Sequence, residues 1–571
     1  MCGQWQVILL RLKRSVHNIN ALDQILTQTI TTGLINATPL WNRVLRAYSE
    51  SPTPIKAFQI YNYFINQSSI CPDNYTHPAL LKSCARLKLI LKGREIHTHV
   101  IKTGLDSDVY VQNALIHFYG STAQLTEARR MFDTIPQKDI VSWNTLLAAY
   151  NNPTSGSWLE VMLLFRKMMH EGVHADELSL VILLSACART EERVCGGSVH
   201  SHVVKVGFIG KVKLENAILS MYTKCRDMDA ASVVFHGMFG RRDAVSYTTL
   251  INGYIEMGSV DLARYIFDQM VVKDLISWNS MIHGYVKRGN PEAASDLFMK
   301  MVDEGVKPDE TTIVCALESY ANMSNLHSGR LIHRFTLRNR IKRDLYVETA
   351  LIDMYSKCGS MDEAMLVFYK MSYKDVFAWT AVISGLANNG HGRKALSFFS
   401  QMEEQGVEPN EATFVSVLMA CRQSGLVHEG CSFFNKMILD YNINPRFEHF
   451  GCLLDLLSRA GLLPKAQELI ESISHEDKLI AYKTLLNACI IHSKFDLGER
   501  VADKLSKLDY PSHAVYILLS NFYALSGQWA KVADLRRTAK ELDLRKEPGI
   551  SSLEQRSKRM DSVADSTGCR I

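Results

Sequence analysis

The feature that most limits what this chain can fold into is a phrase that returns roughly every 31 to 37 residues. VSWNTLLAAY (141–150), VSYTTLINGY (245–254), ISWNSMIHGY (276–285) and FAWTAVISGL (377–386) each set an aromatic residue beside Asn or Thr, followed by apolar residues at helical spacing. A second phrase follows in each repeat, as in DLARYIFDQM (261–270), EAASDLFMKM (292–301), EAMLVFYKM (363–371) and RKALSFFSQM (393–402), and predicts a second amphipathic helix. Between repeats stand GVKPD (305–309) and GVEPN (406–410), where Gly suits a helix C-cap and Pro fixes the turn. Two helices of about a dozen residues cannot bury their apolar faces alone, so neighbouring hairpins must stack. The expected fold is all-α, a right-handed α-solenoid superhelix of stacked helical hairpins with a concave face.

Two further kinds of repeat alternate with the first. One carries LLKSCA (80–85), LLSACA (183–188) and LMACR (418–422), followed by GREIHTHVIKTG (93–104) and GGSVHSHVVKVG (196–207); the other carries NALIHFYG (113–120), NAILSMYTKC (216–225) and TALIDMYSKCG (349–359). These phrases put Cys84, Cys187 and Cys421 at one equivalent position, Cys225 and Cys358 at another, and His97, His200 and His333 at a third. Equivalent residues in successive repeats point the same way, so they read as packing rather than as metal ligands or nucleophiles. The thirteen Cys form no C-x-x-C, which argues against a zinc ribbon or a thioredoxin-like site and suits a reducing compartment. No run of about 18 apolar, uncharged residues occurs. A formal charge of +5 excludes a strongly basic nucleic-acid binder, so any grip on RNA must be local.

Taken together, aromatic-Asn/Thr-x-L-I, G-Y, E-A-x-x-x-F-x-x-M and a closing K-P-D or K-D resemble the plant pentatricopeptide repeat family. The W-x-x-L-G pattern of tetratricopeptide repeats is absent. The alternation of long, short and ordinary repeats resembles the PLS subclass over residues 38–478. Residues 479–555, with YKTLLNACIIHSKFDLGERVADKL (482–505) and YILLSNFYALSGQWAKVADLRRTAKELDLRKEPGIS (516–551), resemble the E extension and read as two more helical hairpins. Residues 556–571 are a polar tail. Residues 1–37 are read as a partial leading repeat with an organellar targeting segment, because Arg11, Lys13 and Arg14 precede the first acid, Asp23.

The resemblance implies a binder of single-stranded organellar RNA, in the mitochondrion or, alternatively, the chloroplast, with no cofactor. Relatives that continue into a DYW cytidine-deaminase domain need H-x-E followed by P-C-x-x-C to hold zinc and move protons. None of the nineteen His has Glu two residues later, and no P-C-x-x-C occurs. The chain is therefore expected not to be an enzyme. If it serves C-to-U editing, a DYW-type deaminase acts in trans through the E extension.

In the resembled family, the fifth residue of the first helix and the last residue of the repeat select one base. Asn with Asp favours U, Thr with Asp favours G, and Thr with Asn favours A. Carried over, Asn42 with Asp73, Asn113 with Asp139, Asn144 with Asp176, Asn216 with Asp243 and Asn279 with Asp309 read U. Thr248 with Asp274 and Thr349 with Asp375 read G, and Thr380 with Asn410 reads A. Pro78, Val181, Val314 and Val415 in the long repeats lack a donor–acceptor pair and are read as spacers. Gly451, in the last short repeat, offers no side chain. Asn near a helix start and Asp before one are also ordinary caps, but Asn or Thr recurs at one position across eight repeats while other polar positions drift. Val141, Val245 and Ile276 are candidate base clamps. With n unassigned, and the last short repeat placed four nucleotides upstream of the edited C, the implied target is 5′-UnUUnUGUnGAnnnnnC-3′. A protein-binding scaffold, an RNA endonuclease, or a splicing or transcript-stability factor are the alternatives that the sequence leaves open.

Overall fold

At most repeat starts the closing acid or Asn of the repeat before caps a helix; Ala37 and Lys211 make no such side-chain cap. In the computed structural model, Asp139, Asp176, Asp243, Asp274, Asp309 and Asp375 each accept the backbone N–H three residues on, at 2.7–3.0 Å. Asn410 does the same to Thr413 at 3.0 Å. One orphan donor of the helix start is thereby satisfied, and the carboxylates face the positive end of the helix dipole. The basic residue just before the cap closes the preceding helix. Lys138 donates to the Ile135 carbonyl at 2.9 Å with its ammonium 5.3 Å from the Phe132 ring centre. Lys374 repeats this on Met371 and Phe368, at 2.9 and 5.3 Å. The recurrent K-D ending is thus a two-sided joint, a cation on outgoing carbonyls and an anion on incoming amides.

The structure describes residues 18–33, 37–67, 72–152, 158–471, 478–506 and 513–541, with a few positions nearer the N-terminus. The polar tail and most of the first seventeen residues lie outside them. Among the described residues all regular structure is helical, and the chain divides into two bodies, residues 1–272 and 273–571. In the N-terminal body, first helices Thr38–Glu50, Thr76–Leu87, Val109–Ser121, Ile140–Tyr150, Glu177–Thr190, Val212–Lys224 and Ala244–Glu256 alternate with the second helices of their hairpins. The C-terminal body repeats the scheme with first helices Leu275–Lys287, Glu310–Asn322, Leu345–Lys357, Val376–Asn388, Glu411–Ser424 and Phe447–Arg459. Two more hairpins follow there, opened by Lys478–Ile491 and His513–Leu525. Within each body a first helix packs on its own partner and on the next first helix, so the fold is an α-solenoid of stacked hairpins. Repeat length varies in the second helix: Leu125–Asp133 has 9 residues and Met361–Lys370 has 10, against 13 in Ile90–Lys102 and 14 in Arg193–Val206.

Two devices seat one hairpin on the next. The aromatic ahead of the Asn/Thr position is a knob, buried at Trp143 and Trp379 and half-buried at Tyr247, that meets the previous hairpin's Phe edge-to-face: Trp143 on Phe132 at 4.7 Å, Tyr247 on Phe235 at 5.1 Å, Trp379 on Phe368 at 4.9 Å. In the long repeats, a second-helix glycine admits a side chain from the next first helix. A Cβ on Gly93 would lie 2.0 Å from the Phe118 ring, one on Gly329 2.3 Å from Met354 Sδ, and one on Gly498 2.3 Å from the Phe522 ring. Gly498 and Phe522 lie in the last two hairpins, which therefore join by the same contact as the array.

The repeat-register Cys and His pack in these joints, Cys84, Cys187 and Cys421 buried and Cys225, Cys358, His97, His200 and His333 half-buried. Cys84, Cys187 and Cys421 are fully buried, and burial pushes each thiol up to about 12. His97, His200 and His333 place Nδ1 at 2.7, 3.1 and 2.9 Å from the hydroxyls of Tyr119, Tyr222 and Tyr355 on the following first helices. Burial lowers all three imidazoles below their ordinary value, so they pack as neutral rings. The stacking can be tested at Gly120, where an added Cβ would lie 2.3 Å from Ala149 Cβ and 3.0 Å from its Cα. Gly120→Ala is expected to cost about 1–3 kcal/mol by overpacking, and Trp143→Ala about 3–5 kcal/mol by leaving a cavity. Unchanged urea midpoints for both variants would contradict this account of the joints.

Candidate nucleic-acid interface

The residue five positions after each capping residue lies on the first helix one turn from its start, facing the cap of the next repeat. Where that residue is Asn, the two side chains meet in four cases of five. Asn42 Nδ2 donates to both oxygens of Asp73 at 2.8 and 2.9 Å. Asn144 donates to Asp176, Asn216 to Asp243 and Asn279 to Asp309, each at 3.0 Å. A hydroxyl closes each pair into a triangle: Thr76, Ser179, Ser246 and Thr312 lie 2.6–2.7 Å from the Asn Oδ1. The same hydroxyls lie 2.8–3.1 Å from the Asp Oδ1. One proton serves one acceptor at a time, so the hydroxyl alternates between them.

The triangle fixes the carboxamide. Flipping it would turn Oδ1 toward a carboxylate and Nδ2 toward a hydroxyl, exchanging an attraction for a repulsion. In the orientation held, Oδ1 is occupied, one Nδ2–H points at Asp, and the other Nδ2–H is left for a ligand. The carboxylate keeps acceptor capacity beside it. Burial pushes the Asp176, Asp243 and Asp309 carboxyls up. The backbone N–H and hydroxyl of Ser179, Ser246 and Thr312, with the carboxamides, outweigh this and hold all three below the ordinary carboxylate value.

The hydroxyl member was missing from the sequence reading. Its signal is the capping-box spacing, Ser or Thr three residues after the closing acid, and both arms of that box are formed at Asp176, Asp243, Asp309 and Asn410.

The other positions differ. Asn113 makes no such triangle: its Oδ1 is buried without a hydrogen-bond partner, while Ser142 bonds to Asp139 alone. Thr248 donates to the Ala244 carbonyl within its own helix; it belongs to the first body and Asp274 to the second. Thr380 bonds to the Thr413 hydroxyl at 2.7 Å beside Asn410. Thr349 and Asp375 line one cavity of about 420 Å³ with Tyr346 and Phe377. Asn42 and Asp73 line another of about 710 Å³ with Tyr75, Tyr110, Arg46 and Lys82. Gly451 faces open space.

Beside the pairs stand exposed apolar side chains two residues after a cap. In the N-terminal body these are Tyr110, Val141, Leu178 and Val245, and in the C-terminal body Ile276, Tyr346 and Phe377. Exposed side chains of this size at one recurring position, next to oriented polar groups, form a wall for flat rings.

The depressed carboxyls give a pH prediction. A group whose folded pKa lies below its unfolded value contributes stability that is complete above the ordinary carboxyl range and is lost as pH falls through the folded value. The folded protein should therefore lose stability below about pH 4. Asp176→Asn, Asp243→Asn and Asp309→Asn combined should flatten that loss, because Asn caps without titrating. Urea melts at neutral and acid pH will compare the two chains, and parallel pH profiles would contradict the assignment.

Comparison with known proteins follows the same repeats. Residues 273–322 and 374–423 match the PPR repeat family, residues 245–275, 349–376 and 412–440 match the PPR repeat, and residues 492–554 match the E motif. A pentatricopeptide repeat-containing protein of Arabidopsis thaliana is 34% identical over 524 residues, covering 90% of this chain and 86% of its own. A mitochondrial one from the same plant is 35% identical over 517 residues, covering 90% and 75%. A chloroplastic one is 32% identical over 550 residues, covering 90% and 69%. The crystal structure of the pentatricopeptide repeat protein PPR10 in complex with an 18-nt psaJ RNA element is similar, with a TM-score of 0.60 and 17% identity, covering 94% of this chain and 84% of that one. PPR10 from maize also gives a TM-score of 0.55, with 17% identity and coverage of 92% and 82%. With the repeat and E-motif matches and, over 90% of its own length, 34% identity to a relative, the chain belongs to the pentatricopeptide repeat protein family.

Proposed function

We propose that this chain is a sequence-specific single-stranded RNA-binding protein of a plant organelle, which places a deaminase supplied in trans on a cytidine to be edited to U. The observation that carries the reading is the locked Asn–Asp–hydroxyl triangle, which leaves a free amide N–H beside a carboxylate at Asn42, Asn144, Asn216 and Asn279. Uracil offers an acceptor, O4 or O2, next to the N3–H donor, and matches that pair. Thr in place of Asn is shorter and leaves room for a purine; with Asp it suits guanine, whose O6 and N1–H have the same order. Thr380 with Asn410 replaces the carboxylate by a carboxamide able to donate to adenine N1. The pairs at Asn42, Asn113, Asn144, Asn216, Thr248, Asn279, Thr349 and Thr380 then spell 5′-UnUUnUGUnGAnnnnnC-3′. Bases stack on the exposed apolar side chains, each stacked base contributing about 1–3 kcal/mol.

RNA bound to PPR10 supports the ligand class, and the mitochondrial and chloroplastic relatives support an organelle. The mitochondrion is our assignment. We assign residues 38–478 to recognition as a PLS-type array. We assign residues 479–555, which include the E motif match, to holding a DYW-type deaminase. Purified full-length chain should bind the target RNA at least tenfold more tightly than an RNA with both G and the A replaced, with affinity falling as salt rises. Equal affinity for the two RNAs would sink the base assignment. In plants lacking the protein, organellar transcripts should lose one C-to-U conversion downstream of this sequence. An altered splice junction or RNA end with editing intact would instead make it a splicing or stability factor.

A further inference from the structure

The two cavities beside the reading pairs share a construction and differ in charge. Side chains nine residues after a closing residue stand one helical turn beyond the fifth, on the same face. In the cavity at Asn42 these are Arg46 and Lys82, both held by Glu50, at 3.4 and 2.8 Å. In the cavity at Thr349 they are Glu318 and Asp353. Asp353 pairs with Lys357 at 2.8 Å. Glu318 is exposed and makes no ion pair or hydrogen bond among the described residues. It comes from the long repeat whose fifth residue, Val314, carries no base-reading group, and Val314 lines the same cavity.

A free carboxylate in a groove meant for a polyanion is repelled by phosphate unless it meets a donor. Among the four bases only guanine carries an amino donor, N2–H₂, next to its N1–H, so a second carboxylate beside Asp375 finds a donor only there. Adenine N1, cytosine N3 and the carbonyls of uracil turn lone pairs toward it. The slot also has walls for a ring, since Tyr346 and Phe377 flank Thr349 and are 76% and 61% exposed. We infer that Glu318 is a further specificity-determining residue, which accepts the N2–H₂ amino group of a guanine held between Tyr346 and Phe377, beside the N1–H that Asp375 accepts. The long repeat then takes part in readout instead of only spacing its neighbours. The inference rests on the RNA-reading function proposed above and adds a residue outside its paired positions.

The test uses the full chain and four RNAs that differ only at the tenth nucleotide of the target. Wild type should prefer G, and Glu318→Gln should reduce the G-to-A affinity ratio on the order of tenfold, the size of one lost charge-assisted hydrogen bond to a base. Affinity for the A and U forms should hold or rise. A purely structural or charge-repulsion role would move all four affinities together. An unchanged G-to-A ratio in Glu318→Gln, with wild type preferring G, overturns the inference alone. The variant Thr349→Asn separates the layers, since it should shift preference from G toward U if the paired positions read bases. Wild type indifferent to this nucleotide, with Thr349→Asn without effect, overturns both the inference and the reading beneath it.

Discussion

The interaction on which the rest of the structure depends is the helix N-cap that recurs at the repeat joints. The carboxylate of Asp176 ends one hairpin, accepts the Ser179 amide of the next, and orients Asn144 of the hairpin it closes. Losing such a cap exposes an unpaired donor at a buried helix start, at a cost of about 1 kcal/mol. The group needed for stacking is thus also the group that fixes the polarity of the candidate reading surface. Asn and Asp cap almost equally well. Asn410 caps Thr413 as Asp309 caps Thr312, yet one presents a donor where the other presents only acceptors. The joint tolerates that exchange, so the chemistry facing a ligand can change from repeat to repeat without disturbing the solenoid.

The same joints explain why a chain of modest charge suits a local grip. Lys138 and Lys374 lie over Phe rings and on helix-end carbonyls, and Arg242 donates to the Phe235 carbonyl at 2.9 Å over the ring of the same residue. Cations used this way strengthen the stack rather than form a continuous basic face. Affinity for a nucleic acid must then draw on stacking against exposed side chains and on base edges, with basic cavities such as the one at Arg46 and Lys82 adding attraction in places.

How far the site could be read in advance varies by position. Asn42, Asn144, Asn216 and Asn279 meet the acids assigned to them because a separation of about thirty residues spans one hairpin and returns to the next helix start. The hydroxyls of Thr76, Ser179, Ser246 and Thr312 were readable from capping-box spacing alone, which names a local motif and gives no hint that the hydroxyl also reaches back to the previous repeat. Asn113 carries the same letters as its equivalents yet leaves its Oδ1 unpaired, because the triangle needs an approach of two helices that one-dimensional spacing does not contain. Glu318 belongs to a repeat whose fifth residue is apolar, and only the cavity reveals its proximity to Thr349 and Asp375.

The amino-acid sequence by itself determined the hairpin, its repetition, the caps and the assignment of Cys84, Cys187, Cys421 and the three repeat-register histidines to packing. These follow from local periodicity and from contacts between adjacent repeats, whose spacing in sequence is fixed. Tertiary structure decided which pairs close, which side chains wall a cavity and whether that cavity is basic or acidic. Those outcomes depend on how closely neighbouring first helices approach and on which of several polar groups captures a single proton. Both are set by packing in three dimensions, and no pattern of letters records them.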